Sequence, residues 1–335
     1  MNTPHRPQSP SATRRKVLQT GAAVLGVMGM HALVRAQAAT NIRIGYWPNA
    51  AGLTFYAAIE LGYFKEAGLD VEPLKFAGAQ QVMEAVLSGR SDGTANGTGS
   101  ANIAIGELAQ PGTFKIFCAN PSNVKNVLDE VIVPVASPAK VMADLKGKRI
   151  GSGPGIQNVT LAKTILERGG ATGATVVELP IGQHVAALAA GQIDGAYTLE
   201  PTGTIGRMNG TTRVLEAGVI SQYVLGDNMA PWFGGSASLS SDFIKKNPDA
   251  AKKFIAAYGK GVAYVRTKSV EARQYLKGYT PIEGALTGEV PLAAYMMYNE
   301  FKPSDVAHFQ KFFDLFSEKG IFSSRLMVDT MLYKG

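Results

Sequence analysis

Short β-branched runs alternate with longer amphipathic stretches along the chain: residues 42–44, then 54–61, 71–76 and 80–88. A few apolar or alternating positions suit a strand, and apolar positions recurring every three to four residues suit a helix. The alternation predicts repeated βα units on largely parallel sheets, an α/β fold. Glycines stand where the helices should stop: Gly62 after Leu61, Gly89 after Ser88, Gly169-Gly170 after Arg168 and Gly191 after Ala190. A glycine just past the last helical residue takes the left-handed turn that closes a helix at little steric cost.

The pattern also repeats. Arg43-Ile44-Gly45-Tyr46-Trp47-Pro48 recurs as Arg149-Ile150-Gly151-Ser152-Gly153-Pro154, 106 residues on. Gln81, Ala85, Gly89, Asp92 and Gly93 line up with Gln183, Ala187, Gly191, Asp194 and Gly195, each 102 residues on. The echoes mark equivalent points of a βαβαβ unit: the first strand entering its loop, and the second helix entering the third strand. Two copies are too few for a solenoid and suit two similar lobes. In open α/β sheets, ligands gather where loops leave the carboxyl ends of the strands. Those loops are 46–52, 77–80 and 96–101 in the first lobe, and 152–158, 180–183 and 197–203 in the second. The two sets should face one another across a cleft.

Candidate ligand contacts follow from these loops. The segment Gly151-Ser152-Gly153-Pro154-Gly155-Ile156-Gln157-Asn158 leads into a helix, so Gly155, Gln157 and Asn158 could hold an anion on main-chain N–H groups at its positive end. The same glycines could instead serve only a tight connection. No Lys-Ser/Thr follows and the spacing is not G-x-G-x-x-G, so neither a P-loop nor a dinucleotide site is indicated. Asn96, Thr98 and Ser100 offer an amide and two hydroxyls after a third strand, either to an oxyanion or as a helix cap. Asn49 lies in the first loop, and Tyr46, Trp47, Phe55, Tyr197 and Trp232 fall in or near the loops as aromatic walls or as core. No Lys or Arg stands in the loops 46–52, 96–101, 152–158 and 197–203. Glu200, before Pro201, could accept from ligand N–H or hydroxyl groups or hold its own loop.

Catalytic chemistry is poorly supported. His184 and His308 lack the Ser, Asp or Cys partners of a nucleophilic site, and Cys118 reads as core. Asp92 and Asp194 occupy matched positions and read as turn formers. No cofactor or metal ion is expected.

The N-terminus changes the charge picture. Arg14 and Arg15 precede a weakly apolar segment, 17–34, and Ala36-Gln37-Ala38 offers a leader-peptidase site, so 1–38 reads as a twin-arginine export signal cut before Ala39. Its removal takes away Arg6, Arg14, Arg15, Lys16 and Arg35 and no acid, lowering the formal charge from +7 to +2. That balance makes no electrostatic case for nucleic acid. The expected product is a soluble periplasmic monomer long enough for two lobes.

Several blocks carry a family likeness: Gly62-Tyr63-Phe64-Lys65-Glu66-Ala67-Gly68-Leu69-Asp70-Val71, then Asp144-Leu145-Lys146-Gly147-Lys148-Arg149-Ile150-Gly151, then Gly191-Gln192-Ile193-Asp194-Gly195-Ala196 running into Glu200-Pro201. Together they resemble the nitrate/sulfonate/taurine-type solute-binding proteins of ABC transporters. The resemblance implies a two-lobed type II periplasmic-binding fold with two crossovers, each lobe a mostly parallel sheet flanked by helices. Residues 39–136 and 225–335 would form the first lobe and 137–224 the second, closing on ligand like a clamshell. It further implies an inner-membrane permease with its ATPase as partner. The ligand expected from the loops is a small organic anion, an aliphatic sulfonate or an aromatic carboxylate or sulfonate. A neutral heteroaromatic such as a thiamine-precursor pyrimidine, with Glu200 as its partner, and an enzyme built on the same fold are the alternatives.

Overall fold

Ile42, Ile44 and Tyr46 face inward along the first strand, Thr40–Tyr46, in the computed structural model, which describes residues 40–335. The expected leader over 1–38 and its cleavage site lie outside the described residues. The strands are β1 (Thr40–Tyr46), β2 (Leu69–Lys75), β3 (Gly93–Gly99), β4 (Phe114–Ser122), β5 (Asp129–Pro134), β6 (Arg149–Ser152), β7 (Thr175–Glu178), β8 (Gly195–Leu199), β9 (Thr212–Ala217), β10 (Trp232–Ser240) and β11 (Met296–Met297). They form two sheets, ordered β11-β4-β10-β3-β1-β2 and β7-β6-β8-β5-β9, with helices packed on their faces.

Each sheet is mixed rather than mostly parallel. In the first, β1 runs parallel to β2 and β3, but β10 lies antiparallel between β3 and β4. In the second, β6 runs parallel to β7 and β8, while β5 is antiparallel to β8 and β9. The βα pattern finds the parallel halves; β5 and β10, which follow the passages from one sheet to the other, enter against the run of their neighbours. The second sheet also begins earlier than the expected division at 137, because β5 pairs with β8 and β9 and would be severed from them there.

The sequence echo has a structural counterpart. The Arg43 backbone N–H and Nε donate to Asp92 Oδ2 at 2.9 and 3.2 Å, and its Nη2 to Oδ1 at 2.8 Å. Arg149 repeats the pattern on Asp194, at 2.9, 3.1 and 3.1 Å. In both halves the pair ties the start of the first strand to the start of the third. Asp92 and Asp194 are therefore strand clamps more than turn formers, on partly exposed ion pairs of modest strength.

Two passages, 123–128 and 218–231, join the sheets. Beside them a buried apolar cluster runs on from one sheet to the other, from Phe233 and Phe309 through Ile220 to Val131, Ile150 and Tyr197. The first sheet's other face carries a separate aromatic core, in which Phe55 stacks on Tyr258 and Phe64 on Phe254.

Candidate functional site

The expected contacts lie on the loops after β1, β3, β6 and β8, and those after β3 and β6 meet between the sheets through Gln157 and Ala101. After β1, Trp47 Nε1 donates to the Gly97 carbonyl at 2.5 Å. Asn49 Oδ1 accepts from Ala51 N–H at 2.9 Å and its Nδ2 donates to the Trp47 carbonyl at 3.1 Å, so this side chain folds its own loop. Gly97 has a φ of +87°, and a Cβ there would stand 2.3 Å from Asn49 Oδ1. Only glycine meets both demands.

β3, Gly-Thr-Ala-Asn-Gly-Thr-Gly, reaches further than expected, because its polar residues read as loop. They are buried and bonded to one another. Thr94 Oγ1 lies 3.0 Å from Ser238 Oγ, Thr98 Oγ1 donates to the Ala95 carbonyl at 2.9 Å, and Ser100 Oγ lies 2.8 Å from Ser236 Oγ. Asn96 gives its Nδ2 to Asn120 Oδ1 at 3.0 Å and takes the Tyr258 hydroxyl on Oδ1 at 2.8 Å. Asn96, Thr98 and Ser100 thus form a polar floor at the end of β3 with their side chains already engaged.

From that floor the helix Ser100–Ala109 starts without a side-chain cap. Opposite it, the helix Ile156–Arg168 starts on Gly155, with a φ of +94° and again no side-chain cap. Gln157, in the first turn of the second helix, joins the two: its Oε1 accepts from Ala101 N–H at 3.0 Å. Gln157 is 8% exposed and Ala101 fully buried. The two helix starts, with their first-turn N–H groups and positive dipole ends, thus come together, and no cationic side chain stands in the loops around them. Asn158, by contrast, turns back and donates from Nδ2 to the Pro154 carbonyl at 3.1 Å.

The other expected contacts sit deeper. Tyr46 packs edge-on to Tyr56, which in turn stacks on Tyr279 at 4.5 Å, and Phe55 lies in the aromatic core. Tyr197 and Trp232 are 1% exposed, and neither the Tyr197 hydroxyl nor Trp232 Nε1 has a hydrogen-bond partner among the described residues. Trp232 packs edge-on to Phe312 with ring centres 6.0 Å apart.

Glu200 is committed elsewhere: Oε1 takes Arg207 Nη2 at 3.0 Å and Oε2 takes the Thr204 N–H at 3.0 Å. Arg207 Nη1 also donates to Glu130 Oε2 at 3.1 Å. One guanidinium thus serves two buried carboxylates, and burial, with Glu200 alongside, pushes the Glu130 carboxyl up to about 8. Gly203 makes room for this, since a Cβ there would stand 1.2 Å from Glu130 Oε1.

Asn120, Ser236, Tyr258 and Arg207 are the supporting residues that sequence reasoning misses. Asn120 had a signal, a lone amide within the apolar run of β4; the others read as ordinary core or surface positions. His184 is also structural: Nδ1 lies 3.1 Å from Thr198 Oγ1 and Nε2 3.1 Å from the Leu179 carbonyl, and burial lowers its pKa. Among the described residues no group of three or more His, Cys, Asp or Glu is placed to hold a metal ion, and no helix is long and apolar enough to cross a membrane.

A family model described as NMT1/THI5 like matches residues 47–272. No curated protein matches the chain significantly. Among solved structures, the chain is similar to the periplasmic aliphatic sulphonate binding protein SsuA from Escherichia coli, with a TM-score of 0.71 and 18% identity over 88% of this chain and 92% of that one. The alkanesulfonate-binding protein SsuA from Xanthomonas axonopodis pv. citri, bound to MOPS, gives 0.68 and 19% over 88% and 99%. The periplasmic nitrate-binding protein NrtA from Synechocystis PCC 6803 gives 0.64 and 16% over 88% and 84%. At these identities the likeness is one of fold: two mixed sheets flanked by helices, as in these binding proteins.

Proposed function

We propose that this chain, which belongs to the NMT1/THI5-like family, is the periplasmic solute-binding component of an ABC importer and takes a small organic anion between its two sheets. The observation that carries this reading is the pair of uncapped helix starts, Ser100–Ala109 and Ile156–Arg168, drawn together by Gln157. An anion placed there meets N–H donors and two positive dipole ends without a cationic side chain. That favours a sulfonate, whose spread charge suits several N–H donors, over a carboxylate, which an Arg would grip in bidentate fashion. Trp47, half-buried after β1, supplies apolar area for the organic part, aliphatic or aromatic.

We place the two lobes on either side of the passages 123–128 and 218–231, each lobe carrying one sheet. Ligand rests on the loops after β1 and β3 with the Gly155–Gln157 turn on its other side, and rotation about the passages opens and closes that site. Binding energy thereby selects the closed shape that a permease would recognise. The neutral pyrimidine reading relied on Glu200, whose two oxygens are already taken by Arg207 and Thr204. A binding role rather than catalysis is supported by His184 and Glu200 both being tied into the frame.

A thermal-unfolding panel tests the ligand class, using butanesulfonate, benzenesulfonate, benzoate, nitrate and a neutral aminopyrimidine. A true ligand at a hundredfold excess over its Kd stabilises the fold by about 2.7 kcal/mol. A shift with a sulfonate and none with the pyrimidine is the expected result. A shift with the pyrimidine alone would overturn the anion reading.

A further inference from the structure

We infer that Gln157 is the specificity-determining latch of this cleft: its carboxamide oxygen fastens one helix start to the other, and its free N–H is offered to the ligand. The inference rests on the solute-binding reading above and assigns a role within it.

The chemistry follows from the two ends of one carboxamide. Its Oε1 is held by Ala101 N–H at 3.0 Å, which settles which end is oxygen, since a backbone N–H can only donate. Its Nε2 has no partner among the described residues and is left free to donate, while the residue as a whole is 8% exposed. A free amide donor is satisfied by an arriving acceptor. An oxyanion does this; a group with only donors does not. The carboxamide oxygen also occupies the Ala101 amide that an anion would otherwise claim, so the ligand is directed onto Nε2 and the free first-turn amides.

The surroundings are shaped for this contact. Gly99 precedes the Ser100 helix, and a Cβ on it would stand 3.0 Å from Gln157 Oε1 and 2.5 Å from Asn102 Oδ1. Gly99 has a φ of −55°, which any residue can adopt, so its lack of a side chain serves space rather than backbone conformation. Gly99→Ala therefore disturbs the latch without altering Gln157 or straining the chain.

The test is small-angle scattering of the purified, ligand-free chain, wild type against Gln157→Ala, Gln157→Glu and Gly99→Ala, with thermal unfolding confirming that each is folded. The Ala variant loses the bond and should show a larger radius of gyration than wild type. The Glu variant keeps an acceptor, now charged, on the Ala101 N–H and should stay compact; Gly99→Ala should expand in the same direction as Gln157→Ala. In titrations with butanesulfonate, Gln157→Glu should lose at least about tenfold in affinity, as a charge-assisted donor is replaced by a repelling carboxylate. Unchanged scattering in Gln157→Ala would overturn the latch. Unchanged butanesulfonate affinity in Gln157→Glu would overturn the selective role. If the wild type binds no anion at all, the solute reading falls, while the scattering comparison still judges the latch.

Discussion

Asp129, the first residue of β5, is fully buried where the chain enters the second sheet. Its Oδ2 accepts the Ile220 N–H at 2.8 Å, fastening one passage between the sheets to the other, and its Oδ1 has no partner among the described residues. Burial pushes this carboxyl from 3.8 up to about 7, against the pull of the Ile220 N–H. With the folded pKa above the unfolded one, the folded state binds more protons between these values. Its contribution is therefore fully present below about pH 4 and is lost as pH rises through about 7. Asp129→Asn keeps an oxygen for Ile220 and removes the ionisation. Its stability relative to wild type, from urea unfolding at several pH values, should grow by about 3–4 kcal/mol from pH ~4 to ~7 and then level off. A constant difference would show that Asp129 titrates as an ordinary carboxyl. None of this could be read in the sequence; strand register buries both Asp129 and Glu130.

At the scale of elements, β3 shows where sequence patterns stop informing. Its parent βα pattern was legible, as were the glycine stops and the repeated Arg–Ile–Gly and Asp–Gly echoes, because spacing alone carries them. The direction of Asn96, Thr98 and Ser100 was not. A polar residue on a strand can face water, a ligand or another polar residue, and period-two alternation does not distinguish these. In the structure they meet Asn120, Tyr258, Ser236 and Ala95, forming a polar seam inside the first sheet. Asn120 is its keystone: Oδ1 accepts from Asn96 Nδ2 and Gly97 N–H, both at 3.0 Å, and Nδ2 donates to the Ala294 carbonyl at 3.1 Å. Asn120→Ala would leave these three groups unpaired and should cost about 3 kcal/mol in urea unfolding, at 1–3 kcal/mol for each group only partly rescued by water. A loss under about 1 kcal/mol would mean that β3 is held by its ladder bonds alone.

Across the whole molecule, the two-sheet plan followed from the βα alternation and the repeat. The mixed strand order did not, because βα alternation says nothing of strands that arrive from the other sheet. The local chemistry was half legible: the glycine-led helix start that carries Gln157 was visible in the sequence, while the engagement of Glu200 by Arg207 seven residues on was not. In the proposed reading, the charge preference comes from helix ends and amides, and the shape from a frame of satisfied polar groups.

That account is tested most directly by Trp47. The chain has two tryptophans; Trp232 is 1% exposed in the core, whereas Trp47 is half-buried at the cleft with its Nε1 on Gly97. Butanesulfonate, which neither absorbs nor fluoresces in this range, would be titrated into the wild type and into Trp232→Phe while emission is followed. A saturable change in both, at the concentrations that raise thermal stability, is the predicted result. Stabilisation without any change in Trp47 emission would place the anion elsewhere and contradict the account.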